Sequence, residues 1–170
     1  MEIPKRWWIG MVVLGAFAKL IPHPWNFTPM MVIGLFAGSQ ARRVSTGVLT
    51  TLCALALSDA VLGFYFGFWY VYAATLIPVL LGRLIRNRTS VGAIAGAGLA
   101  SSVSFFLITN FMYWATEGFY PHTSAGLSAC FLAAIPFYRN QVLGDAVYTV
   151  AIFGGYAVLN RLCQSAEQVA

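Results

Sequence analysis

The sequence predicts an all-α integral membrane protein with six transmembrane helices and one short re-entrant or half-length helix. Of its 170 residues, 59% are hydrophobic and only 9% carry a charge, and the mean hydropathy is +0.75. Soluble domains carry about 25% charged residues, so an ordinary soluble domain is excluded. Polar islands and small basic clusters separate the apolar runs, as in a multi-pass bundle. We expect a single transmembrane domain over residues 1–170.

The basic residues lie in small clusters that border apolar runs, and the net charge is +5. A nucleic-acid-binding protein would instead carry a broad basic face, so nucleic acid is not an expected partner. The positive-inside rule places such clusters in the cytoplasm, which predicts an inner (plasma) membrane protein with both termini cytoplasmic. The clusters are Lys5/Arg6, Arg42/Arg43, Arg83/Arg86/Arg88 and Arg161.

The first two predicted helices differ in length. Residues 7–21 open with two tryptophans suited to a membrane interface, and no small-residue cleavage site follows. We therefore expect a retained helix rather than a signal peptide. Residues 29–40 would form a helix only about 18 Å long, too short to cross the roughly 30 Å hydrocarbon core upright. This second helix needs protein around its ends or a thinned membrane.

The later apolar runs predict four more membrane helices and one half-length helix, at residues 45–62, 69–82, 91–114 and 142–162, and at 125–137. The residues from Pro136 to Asn140 break the last apolar stretch into two parts. Six crossings alternate consistently with the basic clusters if the half-length helix does not cross. If it does cross, the C-terminus emerges outside. Both topologies stay open.

The stretch from Pro22 to Pro29, here named the lid segment, is the polar and aromatic island of the N-terminal third. Its prolines fix the backbone and remove donors, so no continuous helix runs through it. Thr28 followed by Pro29 has the pattern of a helix N-cap and first helical residue. The rings and the carboxamide of this segment suit the lip of a binding site. An ordinary loop anchored at the interface by Trp25 fits the composition equally well.

Two carboxylates, Asp59 and Asp145, lie in or beside apolar helices. An ionised carboxylate at membrane depth costs a few kcal/mol or more, so such residues usually face a partner or a cavity. We expect Arg139 or His23 to be that partner. Asp145 precedes an apolar run where an N-cap would lie, so a purely architectural role stays open for it. Asp59 is near a helix C-terminus, where the helix dipole disfavours a carboxylate, and this favours a functional role.

Many aromatic side chains fall on the same predicted outer side as these polar groups. An interfacial belt explains many of the rings, but it does not explain their coincidence with amides and charges. A cavity lined by rings and a few directed polar groups suits a flat, amphiphilic organic molecule. The candidate substrate-binding residues are His23, Trp25, Asn26, Asp59, Trp69, Tyr72, Asn110, Tyr113, Arg139 and Asp145.

Sequence motifs for catalysis are lacking, and we expect no enzyme activity, no catalytic residues and no cofactor. The chain has no metalloprotease, nucleophile-elbow, P-loop or dinucleotide-binding motif. His23 and His122 could ligate a metal, but two ligands without fixed spacing are a weak signal, so no metal is expected. The three cysteines are isolated from one another, which predicts neither a disulfide framework nor a zinc site.

Several motifs resemble an uncharacterised bacterial family of membrane proteins with an HPxNFTP signature, generally labelled as transporters. The matching stretches are HPWNFTPMMVIGLFAG, LSD ending at Asp59, LLGRLI, TNFMYW at 109–114, and YPHTSAGLSACFLAAIPFYRNQVLGD. The layout is also similar to the S-components of energy-coupling-factor (ECF) vitamin transporters, which have six helices, cytoplasmic termini and a lid-like first outer loop. This resemblance implies an ECF S-component-like fold.

The nearest functional parallel is the solitary cobalamin-transporting branch of that superfamily. The resemblance implies roles for a first-loop histidine, an aspartate ending helix three and an arginine before the last helix, here His23, Asp59 and Arg139. Some members of that branch carry a cobalt-ligating cysteine in helix four, where this chain has Tyr70 and Tyr72. Cobalt–thiolate chemistry is therefore not expected, while cobalamin binding stays open. The small residues of the first helix loosely fit the coupling face of an S-component.

Together these patterns lead us to expect a substrate-binding membrane subunit for uptake of a small vitamin-like molecule, cobalamin or a related compound among them. Its partners would be the lipid bilayer, the ligand and an energising ECF module. The alternative is a structural or assembly subunit of a larger membrane complex without a small-molecule substrate. In that case the small-residue helix faces would serve protein–protein packing.

Overall fold

The computed structural model describes residues 3–86 and 90–169, with side chains described up to Ser165, and every regular element in these residues is helical. Three stretches are long and apolar enough to cross a membrane: Val44–Leu62, Val91–Thr116 and Ser124–Ser165. Two shorter apolar stretches, Met30–Gln40 and Phe68–Leu84, accompany them. The prediction of an all-helical fold is confirmed for the described residues, and the three long apolar stretches suggest a lipid bilayer environment. Arg88 lies outside the described residues.

The helices follow one another with short connections. They are α1 (Lys5–Leu20), α2 (Met30–Gln40), α3 (Val44–Leu62), α4 (Phe68–Ala74), α5 (Ile77–Leu84), α6 (Val91–Thr116), α7 (Ser124–Thr149), a π-helical turn (Val150–Gly154) and α8 (Gly155–Val169). Side chains of Ser90 and Thr123 cap α6 and α7 by accepting hydrogen bonds from Ala93 N and Gly126 N.

Helix α2 is the centre of the bundle. Ten of its eleven residues are buried, because it is apolar on all sides and α1, α3, α5, α6 and α7 surround it. Glycines bring α5 into backbone contact with it. A Cβ added at Gly82 would lie 2.1 Å from the Leu35 carbonyl oxygen, and one added at Gly38 would lie 2.0 Å from that of Val79. Small residues allow such close approach of helices in lipid.

The side of α2 opposite α5 is packed by aromatic rings. The Phe36 ring centroid lies 5.2 Å from those of both Phe153 and Tyr156, and Trp8 contributes a further tilted contact at 6.4 Å. These ring contacts hold the N-terminal half of α1, the π-helical turn and the start of α8 against the central helix.

The two ends of the bundle differ in chemistry. At one end, Arg83 and Arg86 donate hydrogen bonds to the Ala41 and Arg42 carbonyls, so they tie the α2–α3 connection to the end of α5. At the other end, Tyr70 donates to Glu117 at 2.9 Å, and Lys19 pairs with Asp59. The basic connections therefore gather at one end, and the polar and aromatic islands at the other.

The structure corrects the predicted break in the last third of the chain. Helix α7 runs without interruption through Pro136, so neither a separate half-length helix at 125–137 nor a new helix starting at 142 exists. Proline is tolerated inside membrane helices because local adjustments and neighbouring groups satisfy the freed carbonyl. The irregularity lies later, at the π-helical turn Val150–Gly154.

The predicted helix at 69–82 is also divided, into α4 and α5. Thr75 Oγ1 donates to the Tyr72 carbonyl at 2.7 Å, which competes with the backbone pattern at the end of α4. Pro78 follows in the first turn of α5 and has no N–H to continue the ladder. The other predicted boundaries lie within two residues of the observed ones, as for Val91–Thr116 against 91–114.

Candidate functional site

A cavity of about 660 Å³ lies beyond the N-terminal end of α2. It exists because α2 is only about 16 Å long, whereas α6 and α7 each extend about 39 Å and rise past it. Met30 and Met31, the first residues of α2, line its inner end. Its volume falls within the roughly 300–1,000 Å³ of small-molecule sites. A side recess of about 210 Å³ between α6 and α7 shares Asn26 and Gln141 with it.

Six of the ten predicted site residues line this cavity, and they come from the lid segment, α6 and α7. They are His23, Trp25, Asn26, Asn110, Tyr113 and Asp145. The structure thus brings together residues that are up to 122 positions apart, from His23 to Asp145. The other four predicted residues, Asp59, Trp69, Tyr72 and Arg139, lie outside its lining.

The lid segment is held against α7 by aromatic contacts. The ring centroids of Trp25 and Phe137 are 6.5 Å apart, and those of Phe27 and Tyr148 are 5.7 Å apart. Asn26 adopts a left-handed backbone conformation with φ +62°, which asparagine tolerates better than most residues. The two His23 ring nitrogens lie 2.8 Å from the Pro24 carbonyl and 3.3 Å from the Lys19 carbonyl. The imidazole is therefore engaged by the backbone around it.

Thr28 does not act as the helix cap that its sequence predicted. The N-cap residue of α2 is Pro29, and no side chain caps the helix. Thr28 lines the cavity instead. The start of α2 therefore brings uncapped backbone N–H groups and the positive end of a helix dipole to the inner end of the cavity.

Asp145 lies near the C-terminal end of α7, so the alternative that it caps the start of a helix is excluded. Ser102 Oγ donates to Asp145 Oδ2 at 2.5 Å, and Gln141 Nε2 donates to the Ser102 carbonyl at 3.2 Å. Asp145 Oδ1 and Gln141 Oε1 have no hydrogen-bond partner among the described residues. Both residues line the cavity and are only 6% and 3% exposed.

Asp59 is buried at 1% exposure and forms an ion pair with Lys19. Tyr72 also donates its hydroxyl to Asp59 Oδ2 at 2.9 Å. Asp59 and Tyr72 do not line the cavity, but the Lys19 side chain does. Of these three residues, only Lys19 belongs to the cavity lining.

Arg139 and Trp69 are both exposed, and neither lines the cavity. Arg139 precedes Gln141 by two residues, which is about 200° around a continuous helix, so the two side chains lie on opposite faces of α7. The expected pairing of Arg139 with a carboxylate is not present, because Lys19 takes that place at Asp59. Trp69 packs its ring edge-on to Tyr70, with 5.2 Å between centroids.

Several cavity residues were not predicted from the sequence, and they include Lys19, Tyr65, Tyr70, Thr109 and Gln141. Two of them could have been found from the sequence. Lys19 is a charged residue at the end of an apolar helix, and Gln141 lies one helical turn before Asp145. Burial, with a contribution from the Asp59 carboxylate, raises the pKa of Tyr65 to about 12. Its phenol therefore remains protonated at neutral pH and can donate a hydrogen bond to a ligand.

Metal-binding groups do not gather in the described part of the chain, which contains no group of three or more His, Cys, Asp or Glu side chains suited to an ion. His122 Nε2 lies 3.0 Å from the Trp114 carbonyl, and its ring packs edge-on to the Trp114 indole. The cavity offers hydrogen bonds, aromatic walls and charge, which are the means of binding an organic molecule.

The chain belongs to a family described as a family of unknown function, DUF6580, and the match covers residues 2–167. No curated protein matches the chain, and neither does any solved structure.

Proposed function

We propose that this chain is a substrate-binding membrane subunit that captures a small vitamin-like molecule for uptake. The observation that carries the proposal is the cavity beyond α2, together with an unpartnered buried oxygen on each of two lining residues, Gln141 and Asp145. Buried polar atoms without partners are rare in folded proteins and call for an explanation such as a ligand.

The proposed topology has six crossings, with α4 and α5 together forming the fourth and α7 the sixth. The basic ends of the bundle then lie in the cytoplasm with both termini, in the inner (plasma) membrane. The cavity opens on the outer side, where the lid segment lies. The gathering of Arg42, Arg83 and Arg86 at the opposite end supports this orientation.

Capture would take place under the lid segment. Trp25 is 76% exposed beside the cavity, so it can contact an arriving ligand before the segment settles over it. Release would occur inward, by reorientation of the subunit against an energising module of the ECF type. The expected coupling face on α1 is not free, because Gly15, Ala16 and Ala18 are buried inside the bundle. Such a module would bind elsewhere.

The cavity volume favours a ligand smaller than cobalamin. At about 30 Å³ per water molecule, 660 Å³ corresponds to roughly 22 water molecules. A compound with one or two rings fits this space with the lid segment in place. A corrin ring with its nucleotide would require the lid segment to move away from α7.

A structural or assembly subunit remains the second candidate, and one observation favours it. Gly92 and Gly96 on α6 have open space where a Cβ would be, so they offer a close-packing face to a helix of another protein. This face does not involve the cavity, and an energising partner could use it as well.

The proposal is tested by filling the cavity. Thr109 lines both the cavity and its recess, and Thr109→Trp places a large ring there. The matched control is Thr116→Trp at the exposed end of α6, where tryptophan suits the membrane interface. Mass spectrometry would quantify the small molecules released from each gently purified protein.

The wild-type and control proteins are expected to release the same compound in near-stoichiometric amount, and the Thr109→Trp protein at least tenfold less. Equal release from all three proteins would contradict binding in this cavity. Wild-type protein that carries no compound, is not stabilised by any of a panel of vitamins, and co-purifies with a large partner would support the structural alternative.

A further inference from the structure

The unpartnered oxygens of Gln141 and Asp145 form one site on one face of α7. Residues four apart lie one above the other on a helix, so both side chains face the cavity together. Ser102 fixes their orientation, because its carbonyl accepts from Gln141 Nε2 and its hydroxyl donates to Asp145 Oδ2. The remaining atoms, Gln141 Oε1 and Asp145 Oδ1, are buried acceptors without a partner among the described residues, on two side chains that line the cavity.

The part of the chain that the structure describes supplies no cation to this site. Lys19 lines the same cavity, but its ammonium is paired with Asp59, and no described lysine or arginine pairs with Asp145. Burial alone disfavours the charged form of Asp145, and a cation placed beside it would favour that form. A buried carboxylate with one hydroxyl donor still lacks an opposite charge, which a ligand can bring.

The lining of the cavity is rich in aromatic rings. Phe105, Tyr65, Tyr70 and Tyr113 line the same cavity as Gln141 and Asp145, and Phe105 also shares the side recess with Gln141. Aromatic faces attract cations, most strongly when water is excluded, and they favour planar groups over compact ammonium ions. The acceptor pair and the rings thus select for the same kind of molecule.

From these contacts, and resting on the proposed function, we infer that the ligand is a planar cation of the amidinium or guanidinium class. Such a group donates one N–H to Gln141 Oε1 and another to Asp145 Oδ1. It also gives the Asp145 carboxylate its opposite charge. Lys19 and Asp59 stay paired with each other in the complex.

Benzamidine is a suitable probe, because benzoate has nearly the same shape with opposite charge and benzamide is the neutral equivalent. We expect benzamidine to bind the purified full-length protein at least tenfold more tightly than benzoate. Asp145→Asn keeps an acceptor for Ser102 but removes the charge, and it should weaken benzamidine binding about 10- to 100-fold. Gln141→Met should weaken it about two- to tenfold. Gln164→Met, on the exposed surface of α8, should have no effect.

Benzoate binding as tight as benzamidine would overturn the inference, and so would unchanged benzamidine affinity in both the Asp145 and Gln141 variants. If benzoate or benzamide binds instead and Thr109→Trp abolishes that binding, the inferred cationic ligand class is wrong, whereas the proposed function as a substrate-binding subunit is supported. If none of the three probes binds, the inference is overturned, and the release experiment with Thr109→Trp decides the proposed function separately.

Discussion

Replacing Lys19 with methionine is expected to lower the free energy of unfolding by about 3–5 kcal/mol, the usual cost of removing one partner from a buried ion pair. The cost is high because Asp59 is only 1% exposed and would keep just the Tyr72 hydroxyl as a partner. Thermal unfolding of the protein in one detergent, for wild type and variant, measures the change.

Replacing Asp59 rather than Lys19 should lower the free energy of unfolding by a smaller amount. Asp59→Asn leaves the Lys19 ammonium unpaired, but the lysine side chain is 19% exposed and lines the cavity, so water can reach it. The double variant Lys19→Met, Asp59→Leu removes both charges and should recover part of the loss. A Lys19→Met protein as stable as wild type, or a double variant that loses the sum of both single costs, would contradict a coupled buried pair.

Gly82→Ala is expected to destabilise the bundle by about 3 kcal/mol or more, at the upper end of overpacking costs. The added methyl group would lie 2.1 Å from the Leu35 carbonyl oxygen, which belongs to the backbone of the central helix and cannot rotate away. The melting temperature should fall by about 6–12 °C, given roughly 2–4 °C per kcal/mol for a chain of this size.

Gly96→Ala provides the matched control for this prediction. It introduces the same methyl group in a helix, but nothing lies within 4 Å of the added Cβ. Alanine is the better helix former, so this variant should be as stable as wild type or slightly more stable. Equal destabilisation by both substitutions would show that α2 and α5 do not approach as closely as the structure places them.

Hydropathy and helix signals were sufficient to predict the apolar helices, including the short central one. The continuity of α7 through Pro136 could not be predicted from the sequence. Proline normally ends a helix in a water-soluble protein, whereas a membrane helix tolerates it. The division between α4 and α5 depends on a side-chain hydrogen bond of Thr75, which composition does not reveal.

The candidate site was partly predictable. The lid segment and Asp145 are polar groups in apolar surroundings, which indicated a site, and the structure places them around the same cavity. Arg139 was assigned to the site because its helix was expected to start after it. In a continuous α7 its face is fixed by helical phase, and it points outward. The Lys19–Asp59 pair joins residues 40 positions apart, and only tertiary structure shows such a pair.

Thiol accessibility tests whether the ligand cavity beyond the short central helix opens on the outer side of the membrane. Cys53, Cys130 and Cys163 would first be replaced by serine or alanine, because all three are free thiols. Thr28→Cys then places a thiol in the cavity lining, and Thr51→Cys places one at a site with 0% exposure as the matched control. A membrane-impermeant maleimide would be added to intact cells.

We expect the Thr28→Cys protein to be labelled from outside and the Thr51→Cys protein not to be labelled, and we expect a bound ligand to slow the labelling. Labelling of the Thr28→Cys protein only after the cells are opened, or equal labelling of both proteins, would show that the cavity does not open on the outer side.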